Sequence, residues 1–172
     1  RRATFERPEL PTLYQCGGNG SAIVLDDADL DRAAYDLAVS AFATSGQRHN
    51  STGRIFIARR VFDQFCERLA ARAQDFVIGY GFDEGVFLGP LSSDAHRNRY
   101  RRHGKELVTD GHTPIAEAAA ATVEGRRGYY VRPAIYWVGG ASHLVDEPVG
   151  PLVQVYCVEG WEEAVELHNR LA

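Results

Sequence analysis

The stretch from Ala22 to Arg59, AIVLDDADLDRAAYDLAVSAFATSGQRHNSTGRIFIAR, decides the fold class of this chain. Its opening residues, Ala22–Leu25, form a short apolar run that reads as a buried strand. Asp26-Asp27-Ala28-Asp29 then puts N-cap side chains and negative charge where a helix would start. The orphan N–H groups and the dipole of a first turn favour both. From Leu30 the apolar residues recur at helical spacing: Leu30, Ala33, Ala34, Leu37, Ala38, Ala41 and Phe42 share one face. Ser45-Gly46 ends that helix. Arg54–Arg59 alternates as a strand, with Ile55 and Ile57 on one side and Phe56 on the other. Strand-like and helix-like periods in alternation predict an α/β domain.

The pattern continues outward in both directions. Upstream, Thr12–Cys16 reads as another short strand, set off by the turn-forming cluster Gly17-Gly18-Asn19-Gly20. Downstream, Phe62, Phe65, Cys66, Leu69, Ala70 and Ala73 make a second helical stripe, which explains Cys66 as a core residue. Asp83–Pro90 is a loop punctuated by glycine and proline. Ser92 or Ser93 can cap a helix through the basic run Arg97-Asn98-Arg99-Tyr100-Arg101-Arg102-His103. No aromatic platform accompanies that run, so it reads as a solvated helix face rather than a nucleic-acid surface. Tyr129–Val138 is a strand whose Pro133 places it at a sheet edge or breaks it. Leu152–Val158 is another strand, and Trp161, Ala164, Val165, His168 and Leu171 form a last helical stripe.

Composition bounds the function. The chain has 172 residues, 45% hydrophobic and 24% charged, which suits one globular domain and excludes wholesale disorder. A net charge of −4 argues against a general nucleic-acid binder. No apolar run reaches the roughly 20 residues needed to cross a bilayer, and no signal-peptide pattern opens the chain. There is no methionine and the chain begins Arg1-Arg2-Ala3, so a piece of a longer protein is expected. The three cysteines, Cys16, Cys66 and Cys157, lack C-x-x-C spacing. Neither a disulfide framework nor a metal site is expected, and a reducing cytoplasm fits best.

Three stretches place polar residues on tight glycine-rich turns, where catalytic groups are often held. They are Gln15-Cys16-Gly17-Gly18-Asn19, Ser45-Gly46-Gln47-Arg48-His49-Asn50 and Asp146-Glu147-Pro148-Val149-Gly150-Pro151. Together with Leu88–Leu91 they follow the order of four motifs of the aldehyde dehydrogenase superfamily, which the chain resembles over nearly its whole length. Leu13–Asp31 is similar to the family's Glu-Leu-Gly-Gly segment and the strand after it. Ser45–Ile57 is similar to Gly-Gln-x-Cys with its Arg-bearing strand. Leu88–Leu91 is similar to the x-Gly-Pro-Leu loop, and Asp146–Leu152 to Glu-Glu-x-Phe-Gly-Pro. Gly17-Gly18-Asn19, Ser45-Gly46-Gln47-Arg48 and Gly150-Pro151-Leu152-Val153-Gln154-Val155 lean toward the succinylglutamate-semialdehyde dehydrogenase branch.

The resemblance implies a three-layer catalytic domain with a mostly parallel sheet flanked by helices. It also implies aldehyde oxidation: a cysteine thiolate attacks the aldehyde, hydride passes to NAD or NADP, and a glutamate activates the water that hydrolyses the thioester. Residue by residue, the chemistry is missing. His49 stands at the nucleophile position and Gln15 at the general-base position; an amide cannot accept a proton at neutral pH. Glu147 keeps the ribose-binding acid, while Val149 replaces the family's Phe near the nicotinamide. Cys16 falls where the motif has a buried leucine and Cys157 lies in an apolar strand, so both read as core.

The family's phosphate-binding turn and oxyanion-hole Asn precede the region that is present here, and no G-x-G-x-x-G or P-loop occurs in the chain. The expectation is therefore a single catalytic domain over residues 1–172, truncated at both ends, without the cofactor domain and inactive as it stands. It would bind no cofactor alone. Its parent would be a homo-oligomer that takes a small aldehyde, with no nucleic-acid or membrane partner. The competing expectation is a non-enzymatic pseudoenzyme module used for oligomerisation or ligand binding.

Overall fold

The computed structural model describes Gly18, residues 20–139 and residues 150–170. The strands are β1 (Gly20–Val24), β2 (Thr52–Ala58), β3 (Thr113–Ala116), β4 (Ala134–Trp137) and β5 (Leu152–Val158). They form one sheet in the order β1-β2-β5-β4-β3. The first three pairings across it are parallel, and only β3 runs antiparallel, against β4. The helices are α1 (Leu30–Phe42), α2 (Phe62–Asp75), α3 (Asp94–Thr109) and α4 (Trp161–Arg170).

Side-chain alternation along each strand sends residues to two covered faces. On one face Ile55, Ile57, Val153 and Val155 meet the stripes of α1 and α2, with Phe42, Phe65 and Leu69 fully buried between them. On the other, Phe56, Tyr156 and Val158 pack under Ala164 and Leu167 of α4. Leu152, Ala134 and Tyr136 pack with Tyr100 and Leu107 of α3. Strands buried on both sides read as near-continuous apolar runs, as β2 and β5 do. The result is the three-layer, mostly parallel α/β architecture expected from the sequence.

Most local expectations match. Asp29 caps α1 by accepting from the Arg32 N–H, and Ser93 caps α3 by accepting from His96. Cys66 is buried on α2, and Leu152–Val158 is a strand with the expected bounds. Several details differ. The first strand is Gly20–Val24 rather than Ala22–Leu25, and it is only half-buried because it forms the sheet edge. The basic helix α3 is not simply a solvated face: its Tyr100, His103 and Leu107 are buried. Pro133 breaks the Tyr129–Val138 run, so the strand proper begins at Ala134; it is not an edge, because β3 lies outside it. On α4 the buried residues are Ala164 and Leu167, while Trp161 is 55% exposed. Thr12–Cys16 and Leu171 lie outside the described residues.

Candidate functional site

A parallel register brings the amino ends of neighbouring strands level. Gly20 lies opposite Thr52, Arg54 opposite Gln154, and Ala134 opposite Leu152. The loops that enter β1, β2 and β5 therefore arrive side by side. They touch backbone to backbone. A methyl group added to Gly18 would lie 1.6 Å from the His49 carbonyl oxygen, and one on Gly46 would lie 2.2 Å from the Gly150 carbonyl oxygen. Only glycine permits such approaches. Gly150 in turn rests on the ring of Tyr100 and on Leu91.

The turn leading to His49 is strained. Thr44, Ser45 and Gly46 have φ of 57°, 56° and 63°, three left-handed residues in succession of which only one is glycine. Each non-glycine residue held there costs on the order of 1 kcal/mol. Two side chains offset part of this. Ser45, almost fully buried, donates its hydroxyl to the Gly89 carbonyl at 2.7 Å, a bond of about 1 kcal/mol net. Gln47 accepts from the Ser92 N–H at 3.0 Å and donates to the Thr44 carbonyl at 3.2 Å.

His49 itself is exposed on the turn after Gln47. Beneath the turn is a cavity of about 20 Å³ bordered by Gly18, Gly46, Arg48, Ser51 and Gly150, room for a single water. The buried Ser51 hydroxyl has no hydrogen-bond partner among the described residues. Deeper along the strands, register and alternation set Ser21, Arg54, Gln154 and Tyr136 in one row on the face under α3 and α4. Tyr156 donates to Gln154 Oε1 at 2.8 Å, the Ala118 N–H donates to the Tyr136 hydroxyl, and the Ser21 hydroxyl lies 2.7 Å from His168 Nδ1. Burial pushes the Arg54 guanidinium below its usual range, an effect opposed by Tyr156.

The structure thus brings Gly18, His49 and Gly150, one from each of the three glycine-rich stretches, to one edge of the sheet. Gln15, Cys16, Glu147 and Val149 lie outside the described residues. The two described thiols are elsewhere. Burial in α2 pushes the Cys66 thiol up to about 12, and Cys157 sits near the opposite end of β5, half-buried, its thiol also raised by burial. Among the described residues no group of three His, Cys, Asp or Glu can hold a metal ion. No described helix is long and apolar enough to cross a membrane. The Thr44–Ser45 turn and its bonds to Gly89 and Ser92 were not foreseen from the sequence; its one signal was Gly46.

Dinucleotides in doubly wound sheets bind at the carboxyl ends of the strands. Here the loop-built candidate site lies at the amino ends of the strands. That placement on an α/β sheet defines the class of domain.

The comparisons identify that class. Residues 5–172 match the model of the aldehyde dehydrogenase family. The chain is 35% identical over 166 residues to 2-hydroxymuconic semialdehyde dehydrogenase of Pseudomonas sp. strain CF600, covering 94% of this chain and 34% of that protein. Among solved structures it resembles lactaldehyde dehydrogenase of Escherichia coli, with a TM-score of 0.81 and 31% identity over 90% of this chain and 32% of the other. The NAD+ complex of an aldehyde dehydrogenase from Bacillus cereus gives a TM-score of 0.82 at 25% identity, over 90% and 31%. The chain belongs to the aldehyde dehydrogenase family. It spans about a third of the length of the relatives it matches.

Proposed function

We propose that this chain is the catalytic-domain portion of an NAD(P)-linked aldehyde dehydrogenase whose site no longer carries the reaction. His49 occupies the seat of the nucleophile and Gln15 that of the general base. The observation that carries this reading is the contact of Gly18 with the His49 carbonyl. It joins the loop that follows Gln15 to the turn that bears position 49, as a site with nucleophile and base on those two loops requires. An imidazole in place of a thiolate offers no route to the thioester, and an amide in place of a carboxylate offers no proton acceptor. Loss of the nucleophile alone removes most of the rate enhancement in enzymes whose groups act as a unit.

Around position 49 the glycine contacts, the left-handed turn and the Gly89–Ser92 segment form an ordered scaffold. That supports a retained binding or assembly role for the whole protein, with Glu147 as the residue left to hold a nucleotide ribose. Within the family we place the chain nearest the succinylglutamate-semialdehyde branch, on Ser45-Gly46-Gln47-Arg48 and Gly150–Val155. The Pseudomonas relative is named for a semialdehyde that is also an acid, which suits a carboxylate-bearing aldehyde as ancestral substrate. Free Cys66 and Cys157 suit a reducing cytoplasm.

The test follows NAD(P)H formation by the protein at its full natural length, offered NAD+ or NADP+ with short and acidic aldehydes. No turnover above the uncatalysed rate is expected. Robust oxidation with His49 in place would overturn the proposal.

A further inference from the structure

The Gly89–Ser92 segment contributes no reactive group, yet it is tied twice to the turn before position 49. Ser45 donates to the Gly89 carbonyl from a site that water does not reach. Gln47 bridges the Ser92 N–H and the Thr44 carbonyl, so one amide side chain links the start of the turn to the N-terminal approach of α3. The turn they hold contains three left-handed residues, Thr44, Ser45 and Gly46, a conformation that Thr44 and Ser45 would leave if nothing held them. On the far side, Gly46 is pressed on the Gly150 carbonyl, and Gly150 on Tyr100 of the same α3. The turn is therefore gripped between β5's entry loop and the segment leading into α3.

We infer that Ser45 and Gln47 are positioning residues: they clamp the left-handed turn to Gly89 and Ser92 and so fix where position 49 stands over Gly18. This inference rests on position 49 being the seat of the reactive group. It adds the two side chains that hold that seat in place. Ser45 acts from the buried side through its hydroxyl. Gln47 acts from the exposed side through the carbonyl oxygen of its amide.

Glycine separates this clamp from mere tolerance of positive φ. Glycine is the residue best suited to φ near +56°, so if conformation alone matters, Ser45→Gly leaves the turn as firm as before or firmer. If the hydroxyl is the clamp, Ser45→Gly and Ser45→Ala both release it. The measurement is amide hydrogen exchange of residues 44–51, with the amide ¹H–¹⁵N chemical shifts of residues 48–50 as a second readout. Ser45→Ala is expected to speed exchange at 44–51 about fivefold, the loss of a bond of about 1 kcal/mol. Ser45→Gly should speed it by less, because glycine relieves part of the left-handed strain. Both should move the amide shifts of residues 48–50. Exchange in β5 should stay as in the wild type. Gln47→Ala is expected to speed exchange about threefold. Gln47→Glu, which keeps the acceptor for the Ser92 N–H but loses the donor to the Thr44 carbonyl, should recover part of the protection and of the chemical shifts lost in Gln47→Ala.

Unchanged exchange in Ser45→Ala would overturn the proposal, as would Gln47→Glu behaving like Gln47→Ala. Should the Ser45 variants fail to fold, the exposed Gln47 pair decides alone, because its side chain supports no core. Neither readout depends on catalysis. An active wild-type protein would refute the proposed loss of function and leave these results standing.

Discussion

The two ends of the parallel sheet are built on different principles. At the amino end, three loops meet through glycine backbones, with Gly18 on His49, Gly46 on Gly150, and Gly150 on Tyr100. At the carboxyl end, a wider cleft of about 550 Å³ opens between Arg59, Arg60, Asp26, Glu159 and Trp161. Its charges are already matched. Arg59 pairs with Glu159 and Arg60 with Asp26, all with exposed side chains, and such pairs contribute little to stability. Size alone would favour the wider cleft, and so would the general habit of open α/β sheets. Backbone contact points to the other end: glycine is demanded where the chain must pass close to itself, and water-solvated ion pairs demand nothing so exact of the backbone.

This contrast can be broken by mutation, beginning with the largest expected effect. Tyr100 is fully buried, supports Gly150 and donates its hydroxyl to the Arg132 carbonyl at 2.5 Å. Tyr100→Ala should cost about 3–5 kcal/mol by urea denaturation, and Tyr100→Phe about 1 kcal/mol. Trp161→Ala, of similar bulk but on the rim of the carboxyl-end cleft, should stay within about 0.5 kcal/mol. Equal losses for the two aromatic truncations would erase the distinction between the ends.

Glycine substitutions come next. Gly46→Ala combines a left-handed φ with a methyl set against the Gly150 backbone, and should cost about 2–4 kcal/mol. Gly139→Ala, beyond the carboxyl end of β4, meets nothing within 4 Å among the described residues and should be neutral or slightly stabilising, within about 0.5 kcal/mol. Thermal denaturation of the pair checks both.

The smallest effect is chemical. Neither described thiol borders the amino-end cavity. Cys66, with its thiol pushed up to about 12 mainly by burial, should resist iodoacetamide in the native protein at pH 8 and react on unfolding. The linkage has a definite sign. The folded state holds the Cys66 proton more tightly than the unfolded chain, whose thiols ionise near pH 8.5. Its contribution to stability is therefore complete below about pH 8.5 and is lost as pH rises from there toward 12. Cys66→Ala should flatten that alkaline decline in denaturation midpoints; an unchanged slope would reassign it.

Much of the fold was legible because it is local. The stripe of α1, its Asp29 cap and the continuous apolar run of β5 are written in single segments, and the structure reproduces them. Edge strand β3 was missed: Thr113-Pro114-Ile115-Ala116 is half-exposed and carries a proline, so its strand state comes from pairing with β4 rather than from pattern. Trp161 shares the helical spacing of the α4 stripe, yet as the first residue of the helix it is 55% exposed. At the site, the glycines were legible as turn residues and His49 as a departure from a family motif. The left-handed Thr44 and Ser45 were not, because neither residue type announces positive φ; Ser45 is held there in part by the Gly89 carbonyl, 44 positions away.

The central claim is that position 49 is the seat of an absent nucleophile, with position 15 the seat of an absent base. It is tested most directly by restoring both, as His49→Cys with Gln15→Glu in the protein at its full natural length. NAD(P)H formation is then followed with an acidic aldehyde. Aldehyde-dependent NAD(P)H formation by the double variant and none by the wild type is the expected result. Wild-type turnover equal to that of the variant would contradict it.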